Sequence, residues 1–264
     1  MSTALIGHTG FVGSTLLRQR PFDVGYRSAT VGEMDGREFD LVVCCAAPAQ
    51  KWLANREPAK DRRGIQDLIA HLDTIRCRSF VLVSTVDVFK NPVGACEDTP
   101  VDEAGLNPYG RHRRELEKYV ADRFPGHLVV RLPGLVGPGL RKNVVFDLRN
   151  DNNLQAIDSR GVFQFYPMVN LWSDVETALR SGLKLVHLTA EPVSVAEVAR
   201  DGFGRTFSQT LPAPPAAYDF QSNCAALFGG CGRYQYSRRE SLLAIRAYAQ
   251  SEPASRKAGT ENGR

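Results

Sequence analysis

The residues near the start of the chain with the clearest chemical potential are glycines. Gly7-His-Thr-Gly10-Phe-Val-Gly13 follows a short apolar run, Thr3-Ala-Leu-Ile, and leads into Phe11, Val12, Leu16 and Leu17 at helical spacing. A strand–glycine–helix passage with G-x-x-G-x-x-G spacing suits a dinucleotide. Gly7 permits the tight turn, Gly10 lets the main chain approach a pyrophosphate, and Gly13 lets the helix pack close to the strand. The helix N-terminus then offers unpaired N–H groups and partial positive charge to the phosphates. Thr9, Phe11 and Val12 belong to the same contact surface. The alternative is a turn that uses its glycines only for positive φ. NAD sites usually carry an acid about 20 residues beyond such a loop. Here Tyr26-Arg27-Ser28 stands in that place, and Arg27 suits a 2′-phosphate by charge and geometry. That tilts the cofactor from NAD towards NADP. Arg37 is a second candidate cation, and Asp35 or Asp40 are the acids that would face a ribose instead.

The elements that must position this loop alternate in type. Short apolar runs predict strands at Thr3–Gly7, Asp23–Arg27, Asp40–Ala47, Ser79–Ser84, His127–Leu132 and Leu185–Thr189. Helical spacing follows at Asp61–Leu72, Tyr109–Phe124 and Asn170–Leu183. A short helix is expected over Val193–Arg200, introduced by Pro192 and the cap Ser194, and a final one over Ser237–Ala249. Pro212–Pro215 reads as a rigid loop. Alternation of this kind gives an α/β doubly wound parallel sheet, whose ligands bind at the carboxyl ends of the strands. The expected organisation is a dinucleotide-binding core over residues 1–140, with 163–190 returning to it. A small substrate-binding region is formed by 141–162 and 191–250, and a disordered tail covers 251–264.

Composition sets limits on the rest. Among 264 residues, 43% are hydrophobic and 23% charged, which fits an ordinary globular protein and excludes wholesale disorder or a coiled coil. Lys plus Arg is 33 against 29 for Asp plus Glu, a net charge of +4, too mild to argue for nucleic acid or an anionic membrane. No apolar run approaches the ~18 residues of a membrane span, and no signal-peptide pattern opens the chain. The cysteines, Cys44, Cys45, Cys77, Cys96, Cys224 and Cys231, form no C-x-x-C pair and no zinc spacing with His. They read as reduced structural thiols, no metal is expected, and a cytoplasmic location follows.

Several further segments, taken in order with the glycine loop, carry a resemblance. Asp40-Leu-Val-Val-Cys-Cys-Ala46-Ala47, Val83-Ser-Thr85-Val-Asp87, Asn107-Pro-Tyr109-Gly-Arg-His-Arg113, Arg131-Leu-Pro133-Gly-Leu135-Val-Gly-Pro-Gly139 and Pro192-Val-Ser-Val-Ala-Glu-Val198 extend it over about residues 3 to 200. The chain resembles the extended short-chain dehydrogenase/reductase superfamily, and within it the NAD-dependent epimerase/dehydratase and dTDP-4-dehydrorhamnose reductase-like members. The resemblance implies a Rossmann-like sheet and hydride transfer at a carbinol or keto carbon. Tyr109 would be the acid/base and Thr85 would bond the same substrate oxygen. Arg113 would stand where the family's Tyr-x-x-x-Lys helix has its lysine. Ala46, Ala47, Pro133 and Leu135 would line the cofactor, beside Tyr109 and Arg113.

Arg113 departs from the pattern. At i+4 it shares a helix face with Tyr109, but it cannot lose a proton, so a relay through it is in doubt. His112, at i+3, is a possible substitute. Asp87 is a candidate substrate contact or a turn cap, and Val86 replaces the second acid of the 4,6-dehydratases. Asn143 and Tyr166 are further substrate-contact candidates, with a buried aromatic at a helix–sheet contact as the commoner reading of Tyr166, while Arg141 and Lys142 would meet a diphosphate or lie in solvent. The reading is an NAD(P)-dependent oxidoreductase or epimerase acting on a small molecule, a nucleotide-activated sugar by analogy, with homodimerisation open. A dinucleotide-binding protein without turnover is the alternative that Arg113 suggests.

Overall fold

The computed structural model describes residues 2–253. Six parallel strands form the central sheet: β1 (Thr3–Ile6), β2 (Val24–Tyr26), β3 (Glu38–Cys44), β4 (Arg76–Thr85), β5 (His127–Leu132) and β9 (Leu185–His187). Their order is β2-β1-β3-β4-β5-β9. The strands are apolar on both faces because both are covered. Ala4, Ile6, Val42, Phe80 and Leu82 point to the side packed by Ile65, Leu68 and Leu72 of α3 (Pro58–Thr74) and Leu116 and Val120 of α4 (Pro108–Arg123). Their neighbours in sequence, Leu5, Val43 and Val81, meet Leu16 of α1 (Phe11–Gln19) and Leu171, Val175 and Ala178 of α6 (Leu171–Arg180). The alternation of strand side chains thus builds two core layers, one on each side of one α/β doubly wound, Rossmann-like sheet.

The expected strand Asp40–Ala47 ends at Cys44, so Ala46 and Ala47 lie in the loop that follows it. That loop leads into α2 (Lys51–Arg56), a helix that the apolar pattern did not announce. Beyond β5 the chain makes β6 (Gly134–Val136), α5 (Val144–Asn150), β7 (Val162–Phe163) and β8 (Phe165–Pro167). β6 pairs in parallel with β8. β7 pairs antiparallel with β10 (Val193–Ser194), which occupies the first two residues of the expected helix at Val193–Arg200. Helix α7 (Val195–Glu197) begins after it and continues as a π-turn through Gly202. Ser194 is its cap, in a reciprocal arrangement with Glu197, and Ser237 and Glu240 repeat that device on α8 (Arg238–Ser251). Ile245 and Tyr248 of α8 close a third apolar cluster with Val145, Leu148, Phe165 and Val198. Ser251 closes α8, and the tail expected beyond it falls mostly at 254–264, outside the described residues.

Two features place the site. A buried ion pair joins α4 to β5: Arg131 donates to both carboxylate oxygens of Glu117, at 2.9 and 2.7 Å, while Ser84 of β4 donates to Glu117 Oε1 at 2.6 Å. Next to β5 lies the edge strand β9, with no further strand beyond it among the described residues. The His187 amide donates to Glu97 Oε1 and the Thr189 amide to Gln235 Oε1, while Gln235 Nε2 donates back to the His187 carbonyl. Among the described residues no helix is long and apolar enough to cross a membrane.

Candidate active site

The glycine loop sits at the carboxyl end of β1. Gly7 has φ +87°, and a Cβ there would lie 2.6 Å from the Cys45 carbonyl oxygen. A Cβ at Gly13 would lie 2.2 Å from the Gly7 carbonyl oxygen, so turn and helix could not approach as they do. Gly10 is different: its nearest neighbour would be the Gly7 oxygen at 3.5 Å, an ordinary contact. The fold itself therefore does not demand glycine there. Gly10 is also the N-cap of α1, and no side chain caps that helix. A bare helix N-terminus behind a glycine that internal packing leaves free fits a pyrophosphate drawn close to the main chain. Thr9 and Gly10 are exposed, with Phe11 and Val12 half-buried behind them.

Arg27 is exposed just past β2, and its guanidinium makes no hydrogen bond or ion pair among the described residues. The other candidates for the ribose are occupied elsewhere. Arg37 donates to the Tyr26 hydroxyl at 2.7 Å. Asp35 is bonded to His71 at 2.9 Å, and Asp40, near the amino end of β3, accepts from the Ser2 amide at 2.8 Å.

Tyr109 lies in the first turn of α4. Pro108 opens that helix and Asn107 caps it, accepting from the Gly110 amide at 3.1 Å. A Cβ at Gly110 would lie 2.1 Å from the Asp87 carbonyl oxygen. Glycine is thus what lets α4 press against the turn after β4, and this contact brings the buried phenol beside Thr85. Burial pushes the Tyr109 pKa above the usual tyrosine value. Arg113, Thr85 and Lys51 oppose the rise and Asp87 adds to it. Thr85 Oγ1 accepts from the Asp87 amide at 3.1 Å, and Asp87 Oδ1 meets the Lys51 ammonium at 2.7 Å and the Tyr218 hydroxyl at 3.3 Å. Lys51 and Tyr218 were not singled out by the sequence. They stand 36 and 131 positions from Asp87, on a helix and a loop without a local signature.

Arg113 does not point at the phenol oxygen. Its guanidinium lies over the Tyr109 ring, 4.0 Å from the centroid, and only 3% of the residue is exposed. Both terminal nitrogens donate to Asp61, one of them at 2.9 Å, and one also donates to the Pro48 carbonyl. His112, the suggested substitute, is held by the same carboxylate at 2.7 Å. Burial alone would raise the Asp61 pKa, but the bonds from Arg113 and His112 more than offset it and hold it below the usual aspartate value. The residue in the lysine position is thus a structural cation in a closed pair.

On the other side of the cleft two expectations are corrected. The Tyr166 side chain is wholly buried and its hydroxyl donates to Asp174, which also accepts from Tyr236 at 2.8 Å; no substrate reaches it. Asn143 is consumed as the cap of α5: Oδ1 accepts from Val145 and Phe146, and Nδ2 donates to the Leu135 carbonyl at 2.8 Å. Its backbone has φ 102° and ψ 174°, a region nearly reserved for glycine that costs roughly 1–3 kcal/mol. The residue before it, Lys142, reaches back across the cleft to donate to the Ala49 carbonyl. Pro133 is buried between β5 and β6, and Leu135 of β6 is half-buried. All six cysteines are free, and burial raises the thiols of Cys44 and Cys77 to about 11 and about 12.

The chain matches no protein-family model and no curated protein sequence. It is similar in fold to a dTDP-4-dehydrorhamnose reductase from Clostridium acetobutylicum, with TM-score 0.68 and 18% identity over 94% of this chain and 98% of that one. A dTDP-4-dehydrorhamnose reductase from Bacillus anthracis, solved in complex with NADP, gives TM-score 0.70 and 16% identity over 94% and 98%. An NAD-dependent NDP-hexosamine 5,6-dehydratase involved in tunicamycin biosynthesis gives 0.71 and 17% over 96% and 98%. At these identities the likeness establishes the fold, over nearly the whole of each chain.

Proposed function

We propose that the chain is an NAD(P)-dependent oxidoreductase or epimerase of the extended short-chain type, acting on a carbinol or keto carbon of a nucleotide-activated sugar. The observation that carries this reading is the Tyr109–Thr85 pair, set by Gly110 at the carboxyl end of the sheet that also bears the glycine loop. The uncapped start of α1 would hold the pyrophosphate, and Arg27, exposed and unengaged, would take a 2′-phosphate, which favours NADP. Fold relatives described with NADP and as NAD-dependent support the cofactor class, and their nucleotide-sugar substrates support the substrate class. Six free thiols suit a cytoplasmic protein.

When bound, the nicotinamide supplies or takes a hydride at the substrate carbon. Tyr109 handles the proton on that carbon's oxygen, and Thr85 donates a hydrogen bond to the same oxygen. A phenol whose pKa is raised stays protonated at neutral pH, so it holds the proton that keto reduction would deliver to the substrate oxygen. Asp87, held by Lys51 and Tyr218, presents a carboxylate edge to substrate hydroxyls.

Calorimetry with NADPH and NADH, followed by turnover on a panel of nucleotide 4-keto sugars, tests the reading. Tyr109→Phe is expected to lower turnover ~10²–10⁴-fold and leave cofactor affinity within about twofold. Undiminished turnover in that variant removes Tyr109 from the chemistry. One observation favours a second reading, a dinucleotide-binding protein without turnover: Arg113 is closed into its pair with Asp61. Tight NADPH binding with no turnover across the panel selects it.

A further inference from the structure

The site has an arginine where its helix should carry a mobile cation, and that arginine is immobile. Arg113 is bridged to Asp61, stacked on the Tyr109 ring and tied to the Pro48 carbonyl. It can neither reach out of this pair nor exchange a proton. Yet the next carbonyl along the same loop, that of Ala49, does hold an ammonium, and it comes from a different part of the chain. Lys142 follows the Gly137-Pro-Gly139 loop and crosses the cleft to donate to Ala49. Lys142 makes no ion pair with any carboxylate among the described residues, unlike Lys51, which is neutralised by Asp87.

The main chain is distorted where Lys142 is launched. Asn143 holds φ 102° and ψ 174°, and three hydrogen bonds from its side chain keep it there. Strain of this kind persists only where surrounding contacts over-determine it, and it gathers at functional sites. Here its local effect is to start α5 while aiming the preceding residue back into the cleft. The charges that face the Lys142 ammonium are Arg113 from α4 and Asp87 from the turn after β4. Lys142 is exposed, yet the crowding of its ammonium against the protein, then the like charge of Arg113, hold its pKa below the usual lysine value, and Asp87 opposes them.

We propose that Lys142, delivered by the strained Asn143 turn, supplies the mobile ammonium that α4 lacks and hydrogen-bonds the ribose hydroxyls of a bound nicotinamide dinucleotide. This rests on the cofactor reading above. It moves the job from a helix position to a loop on the substrate side of the cleft, so cofactor grip and the 141–162 segment become coupled.

Competitive acetylation with acetic anhydride, read lysine by lysine by mass spectrometry, tests it on the full chain with and without NADPH. Lys142 is expected to label at lower pH than Lys118, which is ion-paired with Glu103, and NADPH is expected to shield Lys142 but not Lys118. Lys142→Met should weaken NADPH binding about tenfold, the worth of one charged hydrogen bond, while Lys118→Met should not change it. Asn143→Gly accepts the same φ without strain and should retain affinity. Asn143→Val, which refuses that φ and loses the cap, should weaken binding as Lys142→Met does. If the parent protein binds NADPH but Lys142 labels equally with and without it, or Lys142→Met binds as the parent does, the assignment to Lys142 is overturned and the cofactor reading stands. If the parent binds neither NADPH nor NADH, both are overturned.

Discussion

The glycine loop and the Tyr109 cluster occupy the same end of one sheet, yet they are built by different means. The loop is made of main chain: Gly7 and Gly13 are fixed by contacts with Cys45 and with each other's turn. The cluster is made of side chains brought from distant places. Asp61 meets Arg113 across 52 positions, Lys51 meets Asp87 across 36, and Lys142 meets Ala49 across 93. The loop's chemistry is therefore a local property that survives change elsewhere. The cluster's charge balance is a collective property, and any one member can upset it.

Three substitutions would break or sharpen that contrast. Asp61→Asn strikes the collective part hardest, because it leaves the buried Arg113 charge without its partner. A loss of about 3–5 kcal/mol in unfolding free energy is expected from urea titration. The same pair should appear in the pH dependence. The folded Asp61 pKa lies below its unfolded value of about 3.9, so its contribution is complete above that pH and is lost as pH falls through the folded pKa. Acidification from pH 5 to 3 should therefore cost the parent more stability than it costs the variant. Gly10→Asp strikes the local part. It should weaken NADPH binding more than ~100-fold, about 2.8 kcal/mol, since a carboxylate would face the pyrophosphate. Stability should stay within a few tenths of a kcal/mol or rise, because Asp is a good N-cap and a Cβ is tolerated there. Gly110→Ala links the two, forcing a methyl towards the Asp87 carbonyl. It should cost about 1–3 kcal/mol by urea titration and lower turnover by moving Tyr109 from Thr85.

The same contrast explains what could be read before the structure was known. The sheet was legible because each strand announces itself in a few adjacent apolar residues, and the loop because its glycines lie within seven positions. Tyr109 and Thr85 came from motif resemblance and lie side by side. The short α2 was missed because Lys51–Arg56 carries a single buried residue, Ala54, and so has no apolar stripe. Tyr166 stayed open between a substrate aromatic and a buried one because sequence does not show that Asp174 and Tyr236 enclose its hydroxyl. Asn143 drew attention for a sound reason, its place after the loop, but its amide serves the backbone. The fate of Arg113 was hidden because its partner lies on α3, a helix read only for its apolar stripe.

The outer rim of β9 has a consequence of its own. Unpaired amides and carbonyls along a terminal strand would invite a strand from another molecule, the first step towards fibrous association. Here Glu97 and Gln235 occupy the His187 and Thr189 groups, so this rim is already closed to a visitor. On this side the sheet's lateral growth stops within the chain itself.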